Sequence, residues 1–362
     1  MEPTADGSRR FLSVLPFGMM GVVTAVDLLA GPGVGYLPLL SLGPAFASLS
    51  CGVRRTAAVG ALAVALCAML GLYDQTLGTR ANSLTFASIG GVIAAGMLAA
   101  GLRERNEREL ADVRTVAEVA QRVLLRPMPR KVGPVQAAVR YVSAAAHARI
   151  GGDLYEVVLT PNGVRVIVGD VQGKGLDAVE TAAVVLGAFR EAAYDEPELN
   201  GVAGRIETAL TRHLTSEQFV TAILVEIQPD ESATLLNQGH PSPLLLHRAG
   251  PVEAVDPPEP APPLGLSGLV DAPVPARSLK LEPGDRMLLY TDGVVEARDQ
   301  DGAFYPLADR AERLLAADDP EAALDALVRD LTRFRGAPLD DDAAMLLLQW
   351  RASADRGAHR LS

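Results

Sequence analysis

Four aspartates stand far apart in the chain, each in a short glycine-containing or acidic context. They are Asp153 in Gly151-Gly152-Asp153, Asp170 in Gly169-Asp170-Val171-Gln172-Gly173-Lys174-Gly175, Asp292 in Thr291-Asp292-Gly293, and Asp341 in Asp340-Asp341-Asp342. Three of the four lie at or beside the end of a strongly apolar run, where a carboxylate is poorly placed unless positive charge sits next to it. Hard carboxylate oxygens flanked by glycines suit Mg²⁺ or Mn²⁺ rather than zinc. A pair of such ions would activate water near neutral pH and clamp a phosphoryl group, so no protein nucleophile is required. None is evident, since there is no G-x-S-x-G and both cysteines, Cys51 and Cys67, precede the acids.

The elements that must carry these acids read as α+β. Apolar, β-rich runs occur at 135–143, 153–159, 164–169, 219–227, 233–238, 243–247, 285–291 and 343–350. Helical periodicity occurs at 174–193, 198–213, 307–316 and 319–334. Several strands follow one another with only turns between them, and Pro161-Asn162-Gly163 is a hairpin signal, so the sheets are expected to be antiparallel. Val164–Asp170 and Asp285–Gly293 share one design, an apolar strand with an acid at its tip. The Pro-rich stretch 251–263 reads as a surface loop. Lys174 lies at an expected helix start, a favourable place for a phosphate, and reads equally as a substrate contact or as a solvated lysine.

At these motifs the chain resembles the SpoIIE/RsbU-type bacterial phosphatases, the prokaryotic branch of the metal-dependent protein phosphatase 2C family. The resemblance covers about 118–350. It is carried by Gly151–Glu156, Gly169–Gly175, Asn237-Gln238-Gly239-His240-Pro241, Pro263-Leu264-Gly265, Leu281–Asp285, Tyr290–Gly293 and Asp341-Asp342. It implies an αββα sandwich of two antiparallel sheets flanked by helices, two Mn²⁺ or Mg²⁺ ions, and hydrolysis of phosphoserine or phosphothreonine on a protein. By position, Asp170 resembles the carboxylate that bridges both metals and Val171 supplies a backbone carbonyl. Asp153 and Asp292 resemble ligands on either side, and Asp341 the last acidic ligand, with Asp342 its neighbour. Asp153, Asp170 and Asp292 are the expected catalytic set. Glu156 departs from the usual Asp and would face away from Asp153 in a strand. His240, in a Gly-His-Pro turn, reads as structural.

The first hundred residues lie outside the resemblance. Apolar stretches at 11–30, 34–53, 56–73 and 84–102 approach the ~20 residues a membrane span needs, so 1–102 is expected to be a four-helix transmembrane region. Arg9, Arg10, Arg54, Arg55, Arg103, Arg105 and Arg108 flank alternate ends of these stretches, which places the N-terminus and everything after 103 in the cytoplasm. Asp27, the one acid inside a stretch, reads either as a sensor or ion-pathway residue or, the favoured reading, as an acid reaching interfacial water near a helix end. Residues 103–127 read as an amphipathic connector helix, ended by Pro127 and Pro129. Its stripe of Leu110, Val113, Val116, Ala117, Ala120, Val123 and Leu124 fits either packing on its own domain or a short coiled coil in a homodimer. The phosphatase domain is expected over 128–350 and a fraying tail over 351–362.

A net charge of -11 argues against nucleic acid as a partner, which calls for a basic footprint. Two cysteines in apolar stretches, without a Cys/His cluster, argue against a disulfide framework or a zinc site. The expectation is a membrane-anchored, metal-dependent protein serine/threonine phosphatase. By resemblance, its substrate is a phosphorylated anti-sigma-factor antagonist. The alternative is a membrane-tethered scaffold with a degenerate phosphatase fold, which the intact acids disfavour.

Overall fold

The structure, a computed structural model, describes residues 5–30, 36–143, 151–213, 218–248, 250–269, 273–337, 339 and 341–351. Asp340 and the tail beyond Arg351 lie outside the described residues. The chain divides into two compact units, Met1–Asp112 and Val113–Ser362.

The first unit is helical: α1 (Ala5–Ala30), a 3₁₀ turn (Leu37–Ser41) leading into α2 (Leu42–Ser50), α3 (Val53–Tyr73), and α4 (Arg80–Leu124), which belongs to this unit through Asp112. Among the described residues each apolar stretch forms helix, but only α3 and α4 are long and apolar enough to cross a membrane. The apolar parts of the other two, Val14–Leu29 and Leu37–Ser50, are shorter. The turn between α2 and α3 is held by charges from α4. Arg103 donates to the carbonyls of Ser48 (2.9 Å) and Cys51 (2.6 Å), while Glu104 Oε1 accepts from Val53 N–H at 2.9 Å. Arginine thus satisfies the carbonyls ending one helix and glutamate an amide opening the next. Asp27 departs from expectation, being buried rather than turned to water.

The second unit contains the C-terminal part of α4 and two antiparallel sheets. The strands are β1 (Lys131–Val132), β2 (Val135–Val142), β3 (Leu154–Thr160), β4 (Gly163–Val171), β5 (Val220–Ile227), β6 (Ser232–Gln238), β7 (Leu244–Leu246), β8 (Val252–Ala254), β9 (Arg277–Lys280), β10 (Arg286–Tyr290) and β11 (Ala343–Trp350). The helices are α5 (Leu176–Asp195), α6 (Leu199–His213), α7 (Asp292–Val295), α8 (Leu307–Leu314) and α9 (Pro320–Arg335), with a 3₁₀ turn at Ser267–Leu269. One sheet runs β1-β2-β11-β10-β7-β8 and the other β3-β4-β5-β6-β9.

Alternation along the strands builds three apolar layers. Val166, Val168, Ile223, Met287, Leu346 and Trp350 meet between the sheets. Ile167 and Leu224 point the other way, onto Phe189 of α5 and Ile206 of α6. Leu288 and Leu347 likewise meet Leu324 and Leu327 of α9. Because both faces of each central strand are covered, these strands read as unbroken apolar runs. The arrangement is the expected sandwich of two antiparallel sheets flanked by helices.

Within this unit the connector stripe divides. Ala117 packs with Val179 of α5, Ala120 lies against them, and Leu124 joins the layer beneath α5 and α6. Val116 and Val123 are exposed, as is Val119, which lies outside the stripe, and the Val113 side chain lies outside the described residues.

Candidate metal centre

The acids are carried to one end of the sandwich. Asp170 is near the end of β4, and Asp153 immediately precedes the paired strand β3, with Leu154 opposite Gly169. Asp292 follows β10 and opens α7, while Asp341 stands just before β11, in register beside β10. Asp153, Asp170, Asp292 and Asp341, together with Val171 and Lys174, line a single cleft of about 270 Å³. Every residue expected at the site is therefore brought to it, from four separate segments.

Close approach explains the glycines around it. A Cβ at Gly152 would lie 2.6 Å from the Val171 carbonyl oxygen, and one at Gly293 would lie 1.9 Å from the Asp342 carbonyl oxygen. The Gly152 carbonyl also accepts from Val171 N–H at 3.3 Å, tying the loop before β3 to the end of β4.

Burial and mutual repulsion dominate the electrostatics. Burial, reinforced by neighbouring Asp170, pushes Asp153 well above the carboxylate range. Burial together with Asp292 and Asp341 pushes Asp170 up to about 7. Asp292 is raised by burial, then by Glu296 and Asp341. Asp153 and Asp170 are close enough to act on each other's charge. Asp153, Asp170, Asp292 and Asp341 share the cleft, but among the described residues no three His, Cys, Asp or Glu side chains are grouped closely enough to hold an ion as they stand. Carboxylates crowded in a cleft, with a backbone carbonyl beside them, nonetheless form a hard-oxygen donor set that fits Mg²⁺ or Mn²⁺ and is offset by their charge.

Residues beyond the expected set hold these acids in place. Thr291 Oγ1 donates to Asp153 Oδ2 at 2.8 Å and accepts from Ala344 N–H at 2.9 Å. Asp342 is turned to a different task from Asp341: its Oδ2 accepts from Gly151 N–H at 2.8 Å and from Tyr141 Oη at 2.6 Å. Gln121 of α4 donates to Tyr141 Oη (2.7 Å) and to the Gly151 carbonyl (3.3 Å), so the connector helix reaches the loop carrying Asp153. The motif Thr291-Asp292 contained the first of these signals. Tyr141 and Gln121 sit in ordinary strand and helix patterns that give no such sign.

Several motif residues are structural. Glu156 points away from the cleft and pairs with Arg190, whose guanidinium also donates to the Leu124 carbonyl at 3.0 Å. His240 is buried, and burial lowers it to about 4; its Nδ1 lies 3.1 Å from Thr221 Oγ1, and its N–H donates to Asn237 Oδ1 at 2.8 Å. Leu264 exchanges two backbone hydrogen bonds with Val220, each 2.9 Å, beside the cleft. Asp285 accepts from Arg248 and Glu282 N–H groups at 3.0 and 2.9 Å, shaping the turn into β10. Lys174 Nζ lies 2.6 Å from Asp341 Oδ2, so this lysine is a partner of a site acid rather than a purely solvated charge.

A family model described as Stage II sporulation protein E (SpoIIE) matches residues 160–351. The chain belongs to the SpoIIE family. Its two-sheet unit is accordingly a SpoIIE-type phosphatase domain. Among solved structures, the chain is 25% identical to the RsbU and RsbW domains of Rv1364c from Mycobacterium tuberculosis, with a TM-score of 0.52 over 60% of each chain. The PP2C phosphatase domain with a regulatory fragment of SpoIIE from Bacillus subtilis matches at 18% identity and a TM-score of 0.50, over 60% of this chain and 63% of that one. The SiaA-PP2C domain of Pseudomonas aeruginosa matches at 19% identity and a TM-score of 0.58, over 68% of this chain and 98% of that one. The chain thus spans about 60% of the length of the first two. The last two likenesses carry the fold.

Proposed function

We propose that this family member is a membrane-anchored, divalent-metal-dependent protein serine/threonine phosphatase. The observation that carries the reading is the convergence of Asp153, Asp170, Asp292 and Asp341, from four distant segments, on one cleft. These acids and the Val171 carbonyl would hold two Mn²⁺ or Mg²⁺ ions. When bound, the ions supply activation of water near neutral pH and a clamp on phosphoryl oxygens. The chain's own residues orient and exclude. Thr291 fixes the Asp153 carboxylate, Asp342 and Tyr141 fix the loop that carries it, and Lys174 places one positive charge at the rim.

The substrate proposed is a phosphorylated anti-sigma-factor antagonist; a solved relative in which RsbU and RsbW domains occur together supports a partner of that regulatory class. The N-terminal unit is proposed as a multi-pass membrane anchor with the phosphatase domain in the cytoplasm. Two helices of sufficient length and apolarity, and arginines at alternate ends of the apolar stretches, support it. A homodimer through the connector is proposed on the exposed Val116, Val119 and Val123.

The test is hydrolysis of p-nitrophenyl phosphate and of a phosphoserine peptide by the purified full chain, with Mn²⁺ and with EDTA. Turnover that needs the ion is expected for both substrates. Hydrolysis of the small ester alone would contradict the protein-substrate assignment.

A further inference from the structure

Two buried polar side chains of the N-terminal unit, Asp27 and Asn82, and the half-buried Asp74 take no part in the phosphatase cleft. Asp27 of α1 is 2% exposed, and neither carboxylate oxygen has a hydrogen-bond partner. Asn82, near the start of α4, is 4% exposed, and neither atom of its amide has a partner. Asp74, the C-cap of α3, has a buried Oδ1 without one.

They lie along one face of α3. Cys67, Gly71 and Asp74 follow at four- and three-residue steps and so stack along a single side of that helix. Asp27 interacts electrostatically with both Cys67 and Asp74. Asn82 closes the middle of the same face, since a Cβ at Gly71 would lie 3.0 Å from Asn82 Nδ2. Glycine at 71 makes room for the amide. The charged neighbour acting on Asp27 is another acid, and no basic side chain appears beside it among the described residues. The Tyr36 amide stands nearby without reaching hydrogen-bond geometry.

An unpaired carboxylate and an unpaired amide enclosed by apolar helices, with a second carboxylate acting on the first, are expensive to keep in place without compensation. Neither Asp74 nor the Asn82 amide lies within hydrogen-bond distance of the Asp27 carboxylate. The donor set is instead that of a hard cation: carboxylate oxygens from two helix ends and an amide oxygen that can turn inward. We propose that Asp27, Asp74 and Asn82 form a binding site for a hard inorganic cation in the N-terminal unit, joining α1, α3 and the start of α4. The proposal does not rest on the phosphatase reading.

Cysteine chemistry gives a local test, because Cys51 and Cys67 are the chain's only cysteines and both lie in this unit. In the full chain carrying Cys51→Ser, alkylation of buried Cys67 by N-ethylmaleimide requires opening of the helices around it. The rate is followed against Na⁺, Mg²⁺, Ca²⁺ and Mn²⁺, with choline and EDTA as the reference. A cation that binds only the closed unit slows opening by a factor that grows with concentration, to about 100-fold at 100 times its Kd. Saturable slowing by at least one of these cations is expected. Asp27→Asn should abolish it, whereas Asn82→Asp, which keeps an oxygen donor, should preserve it. Asp170→Asn should also preserve it, which separates this site from the phosphatase cleft. Rates that ignore every cation, or slowing that persists unchanged in Asp27→Asn, would overturn the proposal.

Discussion

Thr291 Oγ1 donates a 2.8 Å hydrogen bond to Asp153 Oδ2, and this buried bond joins the two sheets behind the cleft. Thr291 follows β10 of one sheet, and Asp153 precedes β3 of the other. Because the same hydroxyl accepts from Ala344 N–H, its orientation is set from the β11 side as well. Removing a group that orients a metal-binding carboxylate typically costs about 10–100-fold in affinity or activity. Thr291→Val, which keeps the shape and loses the hydroxyl, should lower turnover within that range and raise the Mn²⁺ concentration needed for half-maximal rate. Thr291→Ser should retain most of both. Equal rates for Val and Ser variants would show that the hydroxyl has no part in holding Asp153.

Tyr141 acts one step further out. Its hydroxyl donates to Asp342 Oδ2, which in turn holds Gly151 N–H, and it accepts from Gln121. Tyr141→Phe should loosen the Gly151–Asp153 loop and raise the Mn²⁺ requirement about 10-fold. Saturating Mn²⁺ should recover most of the turnover. A loss that no concentration of metal restores would instead place Tyr141 in the chemistry itself.

Stability without divalent ions should fall as pH rises. Asp170 titrates at about 7 in the folded chain, against an ordinary value of 3.8. Between those values the folded state holds a proton that the unfolded state has released, so each step up in pH favours unfolding. The relative stability is complete below the ordinary value and is lost as pH rises to the folded one; Asp153 adds in the same direction. Trp350, the sole tryptophan, is buried between the two sheets, so its fluorescence follows the phosphatase domain within the intact chain. In EDTA its thermal midpoint should decrease between about pH 5 and 7, and Asp170→Asn should flatten that decrease. A midpoint that rises across this window in the parent would contradict the crowding of the acids.

Arg165 gives a stability prediction away from the site. Its buried guanidinium pairs with Glu226 Oε2 through Nε at 2.7 Å and donates to the carbonyls of Ala193, Glu196 and Pro197, which end α5 and lead into α6. Removing one member of a buried pair costs about 3–5 kcal/mol, because the other charge is left uncompensated. Arg165→Leu should destabilise the domain by about that amount in urea titrations read by Trp350. Replacing both partners with apolar residues should recover part of the loss. A single variant as stable as the parent would remove the pair from the fold's support.

The sequence makes the long central strands and the acids legible because both depend on local pattern. Apolar runs covered on two faces stand out, and an acid followed by glycine at a strand tip points to a partner of opposite charge. The short strands β1, β8 and β9 have no such period. β8 lies in the stretch read as a loop, where neighbouring prolines mask Val252–Ala254. Arg165 looks like a solvent-facing residue of a strand until the ends of α5 and α6 are placed over it. Asp27 likewise reads as interfacial, since the face that buries it belongs to residues forty and more positions away. The assignment of Asp341 to the cleft and Asp342 to Gly151 depends on the register of β11 beside β10, which three adjacent acids cannot reveal.

The most direct test of the central claim is Mn²⁺-dependent hydrolysis of p-nitrophenyl phosphate by the full chain and by its Asp292→Asn variant. The parent should turn over with Mn²⁺ and stop in EDTA. The variant should be inactive, with the same Trp350 unfolding transition as the parent in EDTA or a more stable one. Full activity in Asp292→Asn, or activity in the parent that EDTA leaves untouched, would contradict a hydrolytic metal centre built from these acids.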